Sequence, residues 1–174
     1  MFLEGGASPK ARDIVGKISF ANAINSSGQI VGEAKCKGPS VHAFLWENGE
    51  AHDLGTLGGE FSQAYSINTS GQIVGISSCA DASRRGFLVE HGKMTDLTAS
   101  SGTEPCAINA SGQILANSLN PSVKIGNSWR NLNMLIPTHL GWHLIEATDI
   151  NASGQIVVKG ISGDKTHALL LTPR

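Results

Sequence analysis

Four acidic or amide residues stand before an aliphatic residue at matching places along the chain: Asp13-Ile14, Asp53-Leu54, Asp96-Leu97 and Asn131-Leu132. A ring of carboxylates is a candidate for acid–base work. Asn131, however, keeps the hydrogen-bond acceptor and drops the charge, which points instead to accepting backbone N–H groups near a turn. Asp149-x-Asn151-x-Ser153-Gly154 imitates the opening of a calcium loop, yet Gly160 stands where the bidentate glutamate belongs. His139 and His143 have the spacing of a zinc pair on one helix face, but Pro137 and Gly141 make that stretch a loop. Cys36, Cys79 and Cys106 form no Cys-x-x-Cys pair, and a dense disulfide framework is excluded. Phosphate-cradling glycine loops, nucleophile elbows and nucleophile–base pairings do not stand out. These residues therefore yield no catalytic group, no metal and no cofactor.

The elements that would position any site come from a repeat. Ile-Asn-x-Ser-Gly-Gln-Ile occurs at 24–30, 67–73, 108–114 and 150–156, and its Asn recurs at intervals of 43, 41 and 42 residues. Each unit reads as four short strands, here a to d, because Val, Ile, Leu and Phe runs alternate with Gly, Asn and Ser. In Asn25-Ser26-Ser27-Gly28 the Asn side chain can bond the backbone two residues on, and Gly28 tolerates positive φ. That chemistry also explains the Asn-x-Ser triplets, which otherwise match a glycosylation sequon. Strands b and c are apolar on both faces, as expected of sheets sandwiched between neighbours. Units of about 42 residues with four antiparallel strands predict an all-β fold, a small β-propeller of about four blades. A β-prism or β-solenoid is the alternative.

The expected units cover 17–59, 60–100, 101–142 and 143–174 of one repeat domain. The last lacks strand d, and a d-like segment at 9–16 is spare, so residues 11–16 are expected to pair with 167–171 and close a monomeric ring. Residues 1–8 have no obvious place. Pooling of two chains into one larger ring is the alternative to closure. Cys36 and Cys79 share an offset from their Asn markers, and neighbouring blades lie too far apart for a disulfide between them, so free thiols are expected.

In an antiparallel meander the tight a–b and c–d turns share one side of the array, and the b–c and d–a loops share the other. The second side varies in length among the units, at 33–41, 77–85 and 117–122 in b–c and at 58–62, 99–104 and 136–144 in d–a. Variable loops on a rigid scaffold carry function. The candidate contact residues there are Lys35, Lys37, Phe61, Arg84, Arg85, His139, Trp142 and Asp164, since aromatic and Arg side chains are favoured anchors. His42 and His167 open strand c in two units and read as framework residues.

Thirteen Lys and Arg residues against 14 Asp and Glu leave a net charge of −1, which gives no electrostatic case for nucleic acid. Apolar runs stay well short of the roughly 18–20 residues of a membrane span, and the first residues do not form a signal peptide.

The chain resembles the bacterial HAF-repeat proteins, a family regarded as extracellular repeats. The residues that carry the likeness are His42-Ala43-Phe44-Leu45-Trp46-Glu47-Asn48-Gly49 with Asp53-Leu54-Gly55-Thr56-Leu57-Gly58-Gly59, and the four Ile-Asn-x-Ser-Gly-Gln-Ile strings. Asn131-Leu132-Asn133, Gly141-Trp142 and His167-Ala168-Leu169-Leu170-Leu171-Thr172-Pro173 are similar to the family's terminal repeat. Arg85-Gly86-Phe87 departs from the expected His-Ala-Phe, and the third unit is degenerate around 123–129. The resemblance implies an extracellular or cell-surface location and no defined activity. The functional expectation is a non-catalytic binding module for a glycan or protein. The alternatives are a small hydrolase or lyase using an axial pocket, or a purely structural repeat.

Overall fold

The computed structural model describes residues 18–36, 39–97 and 103–173. Among these residues, fifteen β-strands form four successive antiparallel blades. The first holds β1 (Ser19–Ile24), β2 (Ile30–Lys35), β3 (Val41–Glu47) and β4 (Glu50–Asp53). The second holds β5 (Gly58–Ile67), β6 (Ile73–Cys79), β7 (Arg84–Glu90) and β8 (Lys93–Asp96). The third holds β9 (Glu104–Ile108), β10 (Ile114–Asn117), β11 (Ser122–Ile125) and β12 (Ser128–Asn131). The fourth holds only β13 (His143–Ile150), β14 (Ile156–Ser162) and β15 (Lys165–Leu171). No α-helix occurs among the described residues, and no helix there is long and apolar enough to cross a membrane.

The turns form as their residue types dictate. Asn25 Oδ1 accepts from Ser27 N at 3.0 Å and Gln29 N at 3.1 Å, and the same pair of bonds recurs at Asn68, Asn109 and Asn151. The fourth turn residue is left-handed each time, with φ near 75° at Gly71. Asn48-Gly49 and His91-Gly92 carry positive φ at both positions, the twist-matched two-residue hairpin. Two strand-d residues take the structural role expected of them: Asp53 Oδ1 accepts from Gly55 N at 2.7 Å, and Asn131 Oδ1 from Asn133 N at 2.9 Å, whereas Asp96 accepts from the Arg85 guanidinium and Asp13 lies outside the described residues.

Burial lies between blades rather than within them. Val31 and Ala43 of the first blade pack with Ala64, Ile73, Phe87 and Val89 of the second. Val74 meets Ile108 and Ile114, and Leu115 and Val123 meet Leu144, Ile156 and Val158. Fully burying a side chain such as Phe87 is worth about 1.5–3 kcal/mol, and here that gain requires the adjacent blade. A Cβ at Gly75 would collide with the Gln63 carbonyl and the Phe87 ring, so the small residue lets β5, β6 and β7 close up.

An asparagine ladder stitches the blades together. Asn25 Nδ2 donates to the Asn68 carbonyl, Asn68 Nδ2 to the Asn109 carbonyl and Asn109 Nδ2 to the Asn151 carbonyl, each at 3.0 Å. Each repeat's first turn thus holds the next, which is why the motif recurs so faithfully.

Two expectations are modified. The first two blades are not separate sheets: a parallel bridge between Val41 and Phe61 joins them into one eight-stranded sheet. Nor do the described residues by themselves complete a ring. The inner strands pack in series, β1 on β5, β5 on β9 and β9 on β13, with no comparable packing of β1 on β13. Among the described residues, Asn151 Nδ2 donates only to Gln155 within its own turn. With no following sheet among the described residues, the fourth blade is buried on one face only, leaving Val157 and Leu170 exposed on the other. The expected closing segment, residues 11–16, lies outside the described residues.

Candidate functional site

The side of the array carrying the b–c and d–a connections presents a groove of about 220 Å³ between the first two blades, lined by Ile18, Phe20, Glu33, Ala34, Lys35, Val41 and Phe61. Cross-strand register builds it: Phe20 pairs with Glu33 across β1–β2, and Lys35 pairs with Val41 across β2–β3. Phe61 arrives from the second blade. It lies in an irregular stretch of β5, between the Gly58–Cys79 and Ser62–Ser77 pairs. Three hydrogen bonds hold its backbone there, from its N–H to Ser78 Oγ at 3.0 Å and from Ser77 Oγ and Ser78 Oγ to its carbonyl at 3.2 Å each. Ser62 Oγ, accepting from Ala43 N at 2.8 Å, fixes the neighbouring residue to β3.

Arg84, at the start of β7, sets its guanidinium over the Phe61 ring, 4.9 Å from the centroid. A cation over an aromatic face is attracted by the ring quadrupole, so the pair offers one amphipathic contact surface. Lys35 and Arg84 are exposed, whereas Phe61 and Glu33 are half-buried. Burial pushes the Glu33 carboxyl up from its ordinary value. It also pushes the Tyr65 hydroxyl up, helped by the Glu104 and Glu33 carboxylates and opposed by Arg84, so these charges share one neighbourhood. The groove therefore offers an apolar floor, one cation and one partly desolvated acid, with the Arg84 guanidinium beside it over Phe61.

Three of the expected contact residues, Lys35, Phe61 and Arg84, thus come together. Lys37 lies outside the described residues. Arg85 is tied down: its guanidinium reaches Asp96 Oδ2 and Asp81 Oδ2 at 2.9 Å each, and its Nε donates to Ser83 Oγ at 3.2 Å. His139 sits exposed in the short 3-10 turn Thr138–Leu140. Trp142 packs its ring edge-to-face with His167 at 5.1 Å, and Asp164 lies in the two-residue turn between β14 and β15. These last three belong to the fourth blade and the connection leading into it, and they do not line the groove.

Sequence reasoning missed Ile18, Phe20, Glu33 and Tyr65. Phe20 and Glu33 are 13 residues apart, and only the β1–β2 register, with its bulge between Ala21 and Ala23, puts them side by side.

No family model matches the chain, and no characterised protein matches it in sequence. Solved structures do. A protein assigned as TolB from Agrobacterium tumefaciens superposes with a TM-score of 0.62 at 13% identity, over 86% of this chain and 59% of that one. TolB from Acinetobacter baumannii superposes with a TM-score of 0.61 at 15% identity, over 89% of this chain and 41% of that one. The fold is all-β and propeller-like. The chain spans between two-fifths and three-fifths of the length of these two neighbours.

Proposed function

We propose that this protein is a non-catalytic binding module whose glycan or protein ligand is contacted through the variable loop side, at the groove between the first two blades. The observation that carries the reading is the Arg84–Phe61 pair standing beside an apolar groove that also holds Lys35 and Glu33. A planar apolar ring, a guanidinium and a desolvated carboxyl suit a ligand that is itself part apolar and part hydrogen-bonding. Sugars present that mixture through C–H faces and hydroxyls, and proteins through side chains on a loop.

Membership of the HAF-repeat family and an extracellular or cell-surface setting are parts of the same reading, resting on the repeat motifs quoted above. So is closure of four blades within one chain: residues 11–16 supply the strand the fourth blade lacks, pairing with 167–171. The support for this is the three-stranded fourth blade and the free edge of β15 among the described residues.

The experiment is a binding screen of the intact chain against a panel of oligosaccharides and unstructured peptides, followed by titration of the best hit. Phe61→Ala and Arg84→Ala are each expected to weaken that hit at least about tenfold, the loss of about 1.4 kcal/mol. His91→Ala, on the opposite tight-turn side, leaves it unchanged. A hit that ignores both groove substitutions and weakens with His91→Ala overturns the proposal.

A further inference from the structure

A second cluster lies at the rim of the first blade, and none of its three residues lines the groove. Cys36 follows β2, His42 is in β3 and Asp53 ends β4. The registers pair Ala34 with His42 and Phe44 with Asp53, so His42 and Asp53 project from the same face of the sheet. The Cys36 N–H donates to the Ser40 carbonyl at 3.0 Å, which ties Cys36 to the residue preceding β3. His42 Nδ1 lies 3.0 and 2.9 Å from the two Asp53 carboxylate oxygens, and Cys36 Sγ lies 3.9 Å from Oδ2. One donor atom from each residue falls within 4.8 Å of the others.

The second blade is an internal control. Cys79, Arg85 and Asp96 occupy the places of Cys36, His42 and Asp53, 43 residues on. There the Arg85 guanidinium supplies a fixed positive charge among a thiol and two carboxylates, bonded to Asp96 and Asp81. The first blade keeps the thiol and the carboxylate but replaces the built-in cation with an imidazole, a group carrying a lone pair.

We propose that Cys36, His42 and Asp53 form a zinc(II) site, with thiolate, imidazole nitrogen and carboxylate oxygen as protein ligands and water completing the tetrahedron. A mixed sulfur, nitrogen and oxygen set suits a borderline-soft ion, whereas calcium and magnesium require oxygen ligands throughout. Zinc bonds of about 2.0–2.3 Å require donor atoms to lie roughly 3.3–3.8 Å apart. His42 and Asp53, now 2.9–3.0 Å apart, open by a few tenths of an ångström, and Cys36, 3.9 Å from Asp53 Oδ2 and within 4.8 Å of the imidazole, moves in by up to about 1 Å, within reach of rotamer adjustment at a rim where Asp53 is exposed and the other two are half-buried. Uptake expels the Cys36 proton and any proton between His42 and Asp53, so binding releases protons and weakens as pH falls. Exposure of the set makes the ion exchangeable rather than a core staple.

The test uses the full chain, kept reduced and stripped of metal with a chelator. Zinc(II) is titrated calorimetrically, and cobalt(II) serves as a spectroscopic probe whose near-ultraviolet sulfur-to-metal charge-transfer band reports a thiolate ligand. One equivalent is expected to bind and to produce the band. Cys36→Ser removes the band and weakens zinc at least about tenfold, and His42→Arg, which copies the second blade, abolishes binding. Cys79→Ser changes neither. Should the arginine variant fail to fold, as judged by circular dichroism, Asp53→Asn takes its place with the same expected loss. Absence of saturable binding at one equivalent, or a band that survives Cys36→Ser or disappears with Cys79→Ser, overturns the proposal.

Discussion

Replacing Asn68 with alanine tests whether the blades are held by the asparagine ladder as well as by apolar burial. The Asn68 side chain is buried and makes four hydrogen bonds: it accepts from Ser70 N and Gln72 N and donates to Gln72 Oε1 and the Asn109 carbonyl. At a net worth of roughly 0.5–1.5 kcal/mol each, Asn68→Ala is expected to cost about 3 kcal/mol. For a domain of this size that lowers Tm by about 6–12 °C, at roughly 2–4 °C per kcal/mol. Asn151 supplies the comparison, because it has the same turn bonds but no following carbonyl among the described residues, and it is exposed. Asn151→Ala should cost only about 1–1.5 kcal/mol, solvent taking over its partners. A third variant, Asn68→Asp, keeps both accepted bonds but turns a carboxylate toward the Asn109 carbonyl, so it should fall nearer to Asn68→Ala than to wild type. Urea unfolding with unchanged m reads all three. Equal losses in Asn68→Ala and Asn151→Ala, within about 0.5 kcal/mol, would refute a ladder that bears load between blades.

Gly71 is left-handed at φ 75°, so Gly71→Val should cost about 1 kcal/mol or more, and wild-type stability in that variant would reject the turn assignment. All three cysteines are free. Thiol titration of unfolded, unreduced protein should therefore count three groups; in the native state Cys106 should react last, its pKa pushed up to about 11 by burial. A count of one would overturn this. Glu33 has a raised pKa in the folded state, so folding is favoured while it is protonated and loses that advantage as pH rises from its ordinary 4.5 through the raised value. Glu33→Gln should remove this decline, and parallel stability–pH curves for variant and wild type would contradict it. Deleting residues 1–17 should raise hydrogen exchange across 167–171 if residues 11–16 cover that edge, and unchanged exchange would remove the closure reading.

What was legible in the sequence is what local chemistry decides. The Asn and Gly positions of each turn follow from the Asn side chain bonding its own backbone and from the one residue type that accepts positive φ without strain. The strands follow from apolar runs between those turns, and alternation of the turns between two sides follows from antiparallel pairing. Lys35, Phe61 and Arg84 were within reach for that reason: each lies beside a connection on the side that varies.

Tertiary structure decided the rest, because packing partners and register are set across distances that spacing along the chain does not encode. Arg85 and Arg84 are sequence neighbours on one strand. Alternation aims Arg85 toward Asp96 and Asp81 and leaves Arg84 to lie over Phe61, a ring from another strand of the same blade. Phe20 met Glu33 only through a bulged register, and the Val41–Phe61 bridge that seats the ring beside the groove has no signature in either segment. Cys36, His42 and Asp53 match no metal-ligand spacing along the chain, yet three strand ends bring them to one rim. The curvature of the array was equally a tertiary matter. Each repeat encodes a face for its neighbour, but the angle between successive blades comes from the side chains packed between them, and that angle determines where the first and last blades stand.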